Sequence, residues 1–343
     1  MSLREATDRA FKLLREQQGV SGPSVSAFPE TWGPSAHEER IFDPALKQYA
    51  RAFRKGEPAF ERDEDRAIWR GANRTALQHI LALIAASPVR DSLVLRGSAT
   101  LASWFGDAAR EPRDLDWVVR PTDMAIDSEE GLAIGERIRG LVNERAIAGE
   151  VVFWADRIET DLIWTYERVP GRRLSIPWKR EGVAAGVVQV DLVFNERMFV
   201  EPRLENVCVS SGGPNARLYV ASPEESLAWK ILWLTSDCYP QGKDLFDAAL
   251  LSSSARAPDS LIQQVFREAY GPGLPGAVPV EPTATGAGWQ QWLRANDYVD
   301  WNNFVAEYPE HDGVARALLD RVIDGSEPSD PESRARQRRT LNV

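Results

Sequence analysis

Apolar residues recur at helical spacing near both ends of the chain, whereas its middle carries short apolar runs. Stripes with one apolar residue every three or four positions cover residues 5–16 and 65–86, and such spacing predicts amphipathic helices. A proline at the first helical position predicts another helix over 44–54. We therefore predict a helical segment over residues 1–90, interrupted by a loop rich in small polar residues, glycine and proline at 19–34.

The middle of the chain alternates between runs rich in β-branched and aromatic residues and amphipathic stretches. The runs predict strands at 92–95, 115–119, 150–154, 161–166 and 187–194. The stretches between them predict helices at 100–105 and 130–148. This alternation is typical of an α/β or α+β domain.

From residue 222 the helical pattern returns. Ser222 is a predicted N-cap, Pro223 takes the first helical position, and Glu225 completes a capping box. Further helices are predicted at 243–251, 260–270, 289–305 and 313–323, with a linker rich in glycine and proline at 271–288. The predicted division is then a helical segment (1–90), a core (91–221), a helical region (222–325) and a flexible tail (326–343).

The composition excludes several classes of protein. A chain of 343 residues with 43% hydrophobic and 27% charged residues suits about two globular domains. It has no run of about 20 apolar residues, which excludes a transmembrane helix. Two distant cysteines and three isolated histidines exclude a disulfide scaffold and a metal cluster built on those residues. We expect a cytoplasmic protein with no membrane partner, and the net charge of −10 leaves room only for a local basic groove.

One strand–helix–strand unit of the predicted core carries a candidate phosphate and metal site. Gly97 lets the backbone approach a phosphate closely, and Ser98 offers donors at the positive end of a helix. Asp114 and Asp116 open the next strand on one face, and such a pair repels unless a cation lies between the carboxylates. Oxygen ligands of this kind suit Mg²⁺ bound to a nucleoside triphosphate. Each motif alone has a plain explanation, a turn with a helix cap or a solvated strand edge, but their order favours function.

Asp191 is the candidate third carboxylate, since it lies on the polar face of a later apolar strand. If that strand neighbours the strand of Asp114 and Asp116, the three carboxylates form a site of the kind that holds two metal ions for phosphoryl transfer. The alternatives are that Asp191 faces water, or that Asp161 supplies the third carboxylate.

Residues 168–180 hold five basic residues, no acidic residue and Trp178. Positive charge beside an aromatic ring suits contact with nucleic acid. We expect these residues to form an arm beside Asp191 that binds a nucleic acid, the acceptor in the phosphoryl transfer. In this arm Trp178 would stack on a base of that acceptor. The basic residues expected to contact acceptor phosphates are Arg172, Arg173, Lys179 and Arg180. The alternative is a solvated hairpin without a binding function.

Two sets of motifs resemble a known family. Gly-Ser, Asp-x-Asp and a later Asp resemble the nucleotidyltransferase superfamily, which includes DNA polymerase beta. The helix that starts at Ser222 and carries Lys230, followed by Lys243–Asp247, resembles the AbiEii/AbiGii toxin family. The resemblance covers about residues 92–251. That family often has Gly-Gly-Thr where this chain has Arg96-Gly97-Ser98. It usually has a serine directly before Asp-x-Asp, and in this chain Arg113 stands at that position.

The resemblance implies an α+β fold with a mixed nucleotidyltransferase sheet between helical regions, and roles for single residues. Gly97 and Ser98 would bind the nucleotide phosphates, and Lys230 would neutralise the triphosphate. The implied metal ligands for two Mg²⁺ ions, or for Mn²⁺, are Asp114, Asp116 and Asp191, with Asp191 also as general base. The implied nucleotide-site residues that hold Lys230 or shape the pocket are Asp244 and Asp247.

The activity implied by the resemblance is transfer of a nucleoside monophosphate from an NTP to a hydroxyl group of a tRNA 3′ end or a protein. The implied setting is a bacterial toxin–antitoxin or phage-defence system, with a cognate antitoxin protein as partner. The alternatives are a small-molecule nucleotidyltransferase of the antibiotic-modifying type and a degenerate module that only binds nucleotides.

Overall fold

The computed structural model describes residues 36–37, 40–43, 45, 53–55, 57–165, 169–210, 214–236, 241–270, 304 and 308. The predicted helices at 5–16 and 313–323, most of that at 289–305, the loop at 19–34, the linker at 271–288 and the tail therefore lie outside the described residues. None of the helices in the described part of the chain is both long enough and apolar enough to span a membrane.

The described helices follow the apolar stripes of the sequence. They are α1 (Asp63–Ala85), α2 (Ser98–Phe105), α3 (Glu129–Glu144), α4 (Pro223–Ser236), α5 (Gly242–Ser252) and α6 (Asp259–Tyr270). These positions confirm the helices predicted from residue 65 onwards within this part of the chain, with one exception at a boundary. The helix predicted to end at 148 stops at Glu144, because Ile147–Ala148 form a short strand that pairs with the next one.

The strands form one large sheet and two small pairs. They are β1 (Ala36–His37), β2 (Arg40–Phe42), β3 (Phe53–Lys55), β4 (Ala59–Phe60), β5 (Leu93–Arg96), β6 (Asp114–Val119), β7 (Ile147–Ala148), β8 (Val151–Phe153), β9 (Glu159–Thr165), β10 (Val169–Lys179), β11 (Gly186–Val193), β12 (Arg203–Val207) and β13 (Ala216–Val220). Within the described residues, β5 to β13 make a nine-stranded mixed sheet in the order β12-β13-β5-β6-β11-β10-β8-β7, with β9 also paired to β10. Helices and a mixed sheet together confirm the predicted α+β class.

The N-terminal segment departs from the sequence prediction. Two antiparallel pairs lie there, β1 with β4 and β2 with β3. The helix predicted over 44–54 is therefore wrong at its end, because Phe53 and Arg54 pair with Phe42 and Ile41 in a strand ladder. Apolar spacing over so short a stretch does not separate a helix from a strand, and pairing with β2 decides in favour of the strand.

The apolar face of the sheet is covered by helices. Leu115 and Trp117 of β6 and Leu192 of β11 are fully buried on this face. The indole of Trp69 in α1 lies 5.8 Å from that of Trp178 in β10, on the same face. Because successive strand residues alternate between faces, Asp116 and Asp191, which stand next to these positions, are directed to the other face of the sheet.

The described chain divides into two compact units. The first holds the large sheet with α1 and α3. The second holds α4, α5 and α6 together with Trp104–Glu111 and Arg197–Glu201. The division into the four segments 1–90, 91–221, 222–325 and 326–343, which the sequence predicts, stays a prediction.

The capping residues of α4 also organise the second unit. The Ser222 hydroxyl accepts a hydrogen bond from the Glu225 backbone N–H at 3.1 Å, which is the serine half of the predicted capping box. The Glu225 carboxylate itself accepts hydrogen bonds from the backbone N–H groups of Phe199, at 2.6 Å, and Val200, at 3.3 Å. A fully buried carboxylate thus fixes the 197–201 segment to the start of the helix.

Candidate active site

A row of charged residues crosses five neighbouring strands of the large sheet, on the face opposite to Trp117 and Leu192. The residues stand in register as Cα partners, in the order Asp161, Arg173, Asp191, Asp116 and Arg96. Partners in register lie on the same face of a sheet. We call this set the charged row. It brings Asp191 beside Asp116, since β11 and β6 are parallel neighbours, as the three-carboxylate hypothesis requires.

Asp114 lies two residues before Asp116 on the same face and contacts the start of α2. The Ser98 hydroxyl donates a hydrogen bond to Asp114 Oδ1 at 3.1 Å. Ser98 is the first residue of α2, and the first turn of a helix carries a partial positive charge that stabilises a carboxylate. The predicted phosphate-binding role of Ser98 stays a prediction.

Gly97 connects β5 to α2 and lies directly against Asp116. Its φ is +78°, in the left-handed region that favours glycine. A Cβ at this position would lie 3.2 Å from Asp116 Cγ and still closer to Oδ2. A side chain at 97 would therefore displace the carboxylate, so glycine is required here for two separate reasons.

We expect Gly97→Ala to reduce the activity of this site far more than Gly182→Ala. Both positions have a left-handed φ, +78° and +72°, so each substitution should cost roughly 1–2 kcal/mol of stability. Only at 97 would the new methyl group meet Asp116, because nothing lies within 4 Å of a Cβ at 182. Thermal unfolding and the activity of the two variants measure both effects. Equal loss of activity in the two variants would contradict the close packing of Gly97 on Asp116.

Arg173 binds both oxygens of Asp191. Its Nε donates to Oδ1 and its Nη2 to Oδ2, each at 2.7 Å, and its Nη1 donates to Asp43 Oδ2 at 2.5 Å. All three side chains are nearly inaccessible to solvent. This ion network joins a residue of the N-terminal segment to the third carboxylate, and the sequence analysis did not predict it.

Burial affects the protonation of this network strongly. The loss of solvent raises the pKa of Asp191, against the opposing charge of Arg173, and the carboxylates of Asp114 and Asp43 add to the increase. Asp191 and Asp43 hold the pKa of Arg173 well above its ordinary value although burial opposes this, so the guanidinium stays charged. A carboxylate with a raised pKa is a better proton acceptor than a free one, which suits the base role expected for Asp191.

The carboxylates of the first unit fit a cation that arrives with phosphates. Mg²⁺ is usually held by one or two carboxylates and completes its shell with water and substrate phosphates. Asp114 and Asp116 supply that donor set on one strand face. Among the described residues, no three Asp, Glu, His or Cys side chains are arranged as a metal site. A metal role for Asp191 thus stays a prediction, and its oxygens are engaged by Arg173.

The basic stretch is a strand of the sheet and not a projecting arm, so that prediction is wrong. The ladder with β11 runs from Gly171 to Trp178. Trp178 is fully buried and cannot stack on a base. Arg172 points to the helix-covered face, where its Nη2 donates to the Ile126 carbonyl oxygen at 3.1 Å, while Arg173 is buried on the other face. The two arginines therefore cannot contact one acceptor strand.

The other two basic residues lie at the end of β10. Lys179 is exposed, with its Nζ 5.7 Å from the Trp154 ring centroid. Arg180 pairs with Glu150. Contact with acceptor phosphates by these two residues stays a prediction, on a smaller surface than the sequence suggested.

The second unit contains a buried network of two cations and two carboxylates. Lys230 Nζ donates to Asp244 Oδ1 at 2.6 Å and to Asp247 Oδ2 at 2.8 Å. Arg110 donates to both Asp247 oxygens at 3.0 Å and to the Tyr308 hydroxyl at 3.4 Å. The charges balance, which is the condition under which ions tolerate burial. The nucleotide-binding roles expected for Lys230, Asp244 and Asp247 stay predictions.

Charge pairing sets the ionisation of this network. Burial alone would raise the pKa of Asp247, but Arg110 and then Lys230 hold it below its ordinary value. Burial would likewise lower the pKa of Lys230, but Asp244 and Asp247 raise it. Both groups therefore remain charged at neutral pH.

Sequence reasoning missed three residues of these networks. Asp43 and Arg110 are single charged residues without a surrounding motif, and Tyr308 lies in a stretch predicted to follow a helix. Each is identified by contacts across more than 100 residues of chain. No local pattern could have revealed them.

Comparisons with known proteins identify the family and the fold of the chain. The model of one protein family, described as nucleotidyl transferase AbiEii toxin of a type IV toxin–antitoxin system, matches residues 79–321, well over half of the chain. Among solved structures, the chain is similar to MenT4, a nucleotidyltransferase toxin from Mycobacterium tuberculosis, with 15% identity and a TM-score of 0.51. That similarity covers 81% of this chain and 96% of MenT4, and at this identity it shows a shared fold. No curated protein matches the chain significantly.

Proposed function

The chain belongs to the AbiEii family of nucleotidyl transferase toxins, and from this premise we propose that it moves a nucleoside monophosphate from an NTP to a hydroxyl group, with release of pyrophosphate. The observation that carries the proposal is the placement of Asp114, Asp116 and Asp191 on two neighbouring strands, beside the Gly97–Ser98 turn. A nucleotidyltransferase needs carboxylates and a close turn at one place, and the first unit supplies both.

The proposed step is an in-line displacement at the α-phosphorus. The acceptor oxygen forms a bond to phosphorus, the bond from phosphorus to the bridging oxygen of the β-phosphate breaks, and pyrophosphate leaves with the electron pair. Asp191 would take the proton of the hydroxyl on an oxygen that also accepts a hydrogen bond from Arg173, a role favoured by the direction in which burial shifts its pKa. Asp114 and Asp116 would hold Mg²⁺, or Mn²⁺ in its place. When bound, the ion would neutralise charge on the phosphates.

The Gly97–Ser98 turn would position the phosphates. Its glycine brings the backbone close to Asp116, and the first turn of α2 directs backbone N–H groups toward an anion. Because the Ser98 hydroxyl already donates to Asp114, it would also fix the orientation of that carboxylate toward the cation. Positioning of this kind supplies much of the catalysis in phosphoryl-group transfer.

We further propose that the chain is the toxin of a bacterial toxin–antitoxin or phage-defence system. Its partner would be a cognate antitoxin protein. The family description supports this setting. The proposed acceptor is the 3′ hydroxyl of an RNA such as tRNA, or a protein hydroxyl.

The acceptor is identified by incubating the full chain with each of four α-labelled NTPs and either bulk RNA or bulk protein from a bacterial extract. We expect label from one preferred NTP in one of the two fractions, and none without divalent cation. Asp116→Asn serves as the matched control for contaminating enzymes. Label confined to small molecules would favour the antibiotic-modifying type of enzyme, and the absence of any label from all four NTPs would contradict the proposed function.

A further inference from the structure

The guanidinium of Arg173 binds the carboxylate that the sequence analysis made the third ligand of a site for two metal ions. Nε and Nη2 bind the two oxygens of Asp191 in a fork, each at 2.7 Å. Such bidentate pairs are the strongest ion pairs of side chains. Arg173 is 5% exposed and Asp191 6%, so water competes little for either partner.

Asp43 fixes the remaining donor side of the same guanidinium. Arg173 Nη1 donates to Asp43 Oδ2 at 2.5 Å, and Asp43 Oδ1 accepts from the Ala45 backbone N–H at 3.0 Å. Asp43 is also buried. All three nitrogens of the guanidinium are therefore engaged, by residues from the N-terminal segment and from β11. Moving Arg173 away would leave buried charges unpaired on both sides, which is strongly unfavourable.

We propose that Arg173 is the resident cation of the third carboxylate, so that the site takes one divalent ion, at Asp114 and Asp116, and not two. This inference rests on the proposed function and refines it. Two carboxylates and the triphosphate satisfy one Mg²⁺. A second divalent ion at Asp191 would have to share its ligand with a buried guanidinium, and like charges at such short range repel strongly.

The register of the sheet agrees with this assignment. Arg173 stands between Asp161 and Asp191 in the charged row, and Asp191 stands between Arg173 and Asp116. The positive charge on one side of Asp191 is thus a side chain of the sheet itself. Asp43 and Arg173 act as positioning residues, since they set the charge and orientation of Asp191 and do not contact the nucleotide.

The experiment counts Mn²⁺ ions by electron paramagnetic resonance, with the full chain and non-hydrolysable α,β-methylene analogues of the four NTPs. We expect one bound ion per wild-type chain with the preferred analogue. Asp191→Asn should leave that count at one. Arg173→Gln should admit a second ion, because it frees Asp191, whereas Arg173→Lys should retain the count of one because the charge is kept.

The possible results separate this inference from the proposed function. Two spin-coupled ions in the wild type, with one lost in Asp191→Asn, would overturn the resident-cation role but leave nucleotidyl transfer intact. No Mn²⁺ bound with any analogue would overturn the proposed function itself. If Arg173→Gln does not fold, the ion counts of Asp191→Asn and Asp43→Asn still decide. Each of these variants should bind one Mn²⁺ ion per chain. A lower ion count in Asp191→Asn than in the wild type would overturn the inference.

Discussion

Replacement of Asp116 by asparagine should lower the rate of nucleotidyl transfer by on the order of 10³-fold or more, because loss of a carboxylate that holds the cation removes several kcal/mol of transition-state stabilisation. Asp114→Asn should have a similar effect. Neither change should unfold the protein, since both side chains lie on a polar sheet face and their removal relieves repulsion between carboxylates. Single-turnover rates with α-labelled NTP, together with thermal unfolding, measure both parts.

The control for this prediction is Asp156→Asn. Asp156 is an exposed carboxylate of the same unit, in a short turn outside the strands that carry the charged row, and its replacement should change neither rate nor stability. Activity close to wild type in Asp116→Asn and Asp114→Asn would show that these carboxylates do not hold the cation.

Asp247→Asn should cause the largest loss of stability of any single charge neutralisation in the second unit, about 3–5 kcal/mol, as expected when one partner of a buried ion pair is removed. Asp247 is fully buried and accepts hydrogen bonds from both Arg110 and Lys230. Its loss leaves two cations to one carboxylate, Asp244. Urea unfolding followed by tryptophan fluorescence measures the difference, with Asp244→Asn as the matched variant that loses the Lys230 hydrogen bond and should cost less.

The effect of pH on this difference has a defined sign. Because Arg110 and Lys230 lower the pKa of Asp247, its contribution to stability is fully present above the ordinary aspartate pKa of 3.8 and is lost as pH falls through the lower value of the folded state. The stability gap between wild type and Asp247→Asn should therefore be constant near neutrality and shrink in strong acid. A gap that grows on acidification would contradict the ion network.

The local pattern of the sequence predicted the elements that carry the candidate site. Alternating apolar residues placed Asp114 and Asp116 on one strand face and Asp191 on the polar face of another strand. Strand pairing then brings these two strands side by side in the structure. Gly97 was recognised as a close-approach residue, although the group it approaches in the structure is Asp116.

The rest of the site depends on contacts that no local pattern records. Basic residues at 168–180 look solvated in a linear sequence, but β10 pairs with β11 and β9, and this pairing buries Arg173 while it turns Arg172 to the opposite face. One of the two partners of Arg173, Asp43, lies 130 residues away in the N-terminal segment. Hydrophobic periodicity cannot detect an ion pair of this kind, because it reports which face a residue occupies and not what lies opposite.

The central claim, nucleotidyl transfer from an NTP, is tested most directly by labelling one nucleotide at two positions. The preferred NTP is supplied with label at the α-phosphate in one reaction and at the γ-phosphate in the other, with the same acceptor fraction. We expect the α-label to appear on the acceptor and the γ-label to appear only in pyrophosphate, with both signals absent in Asp116→Asn. Transfer of the γ-label to the acceptor, or release of pyrophosphate with no labelled acceptor, would contradict the account.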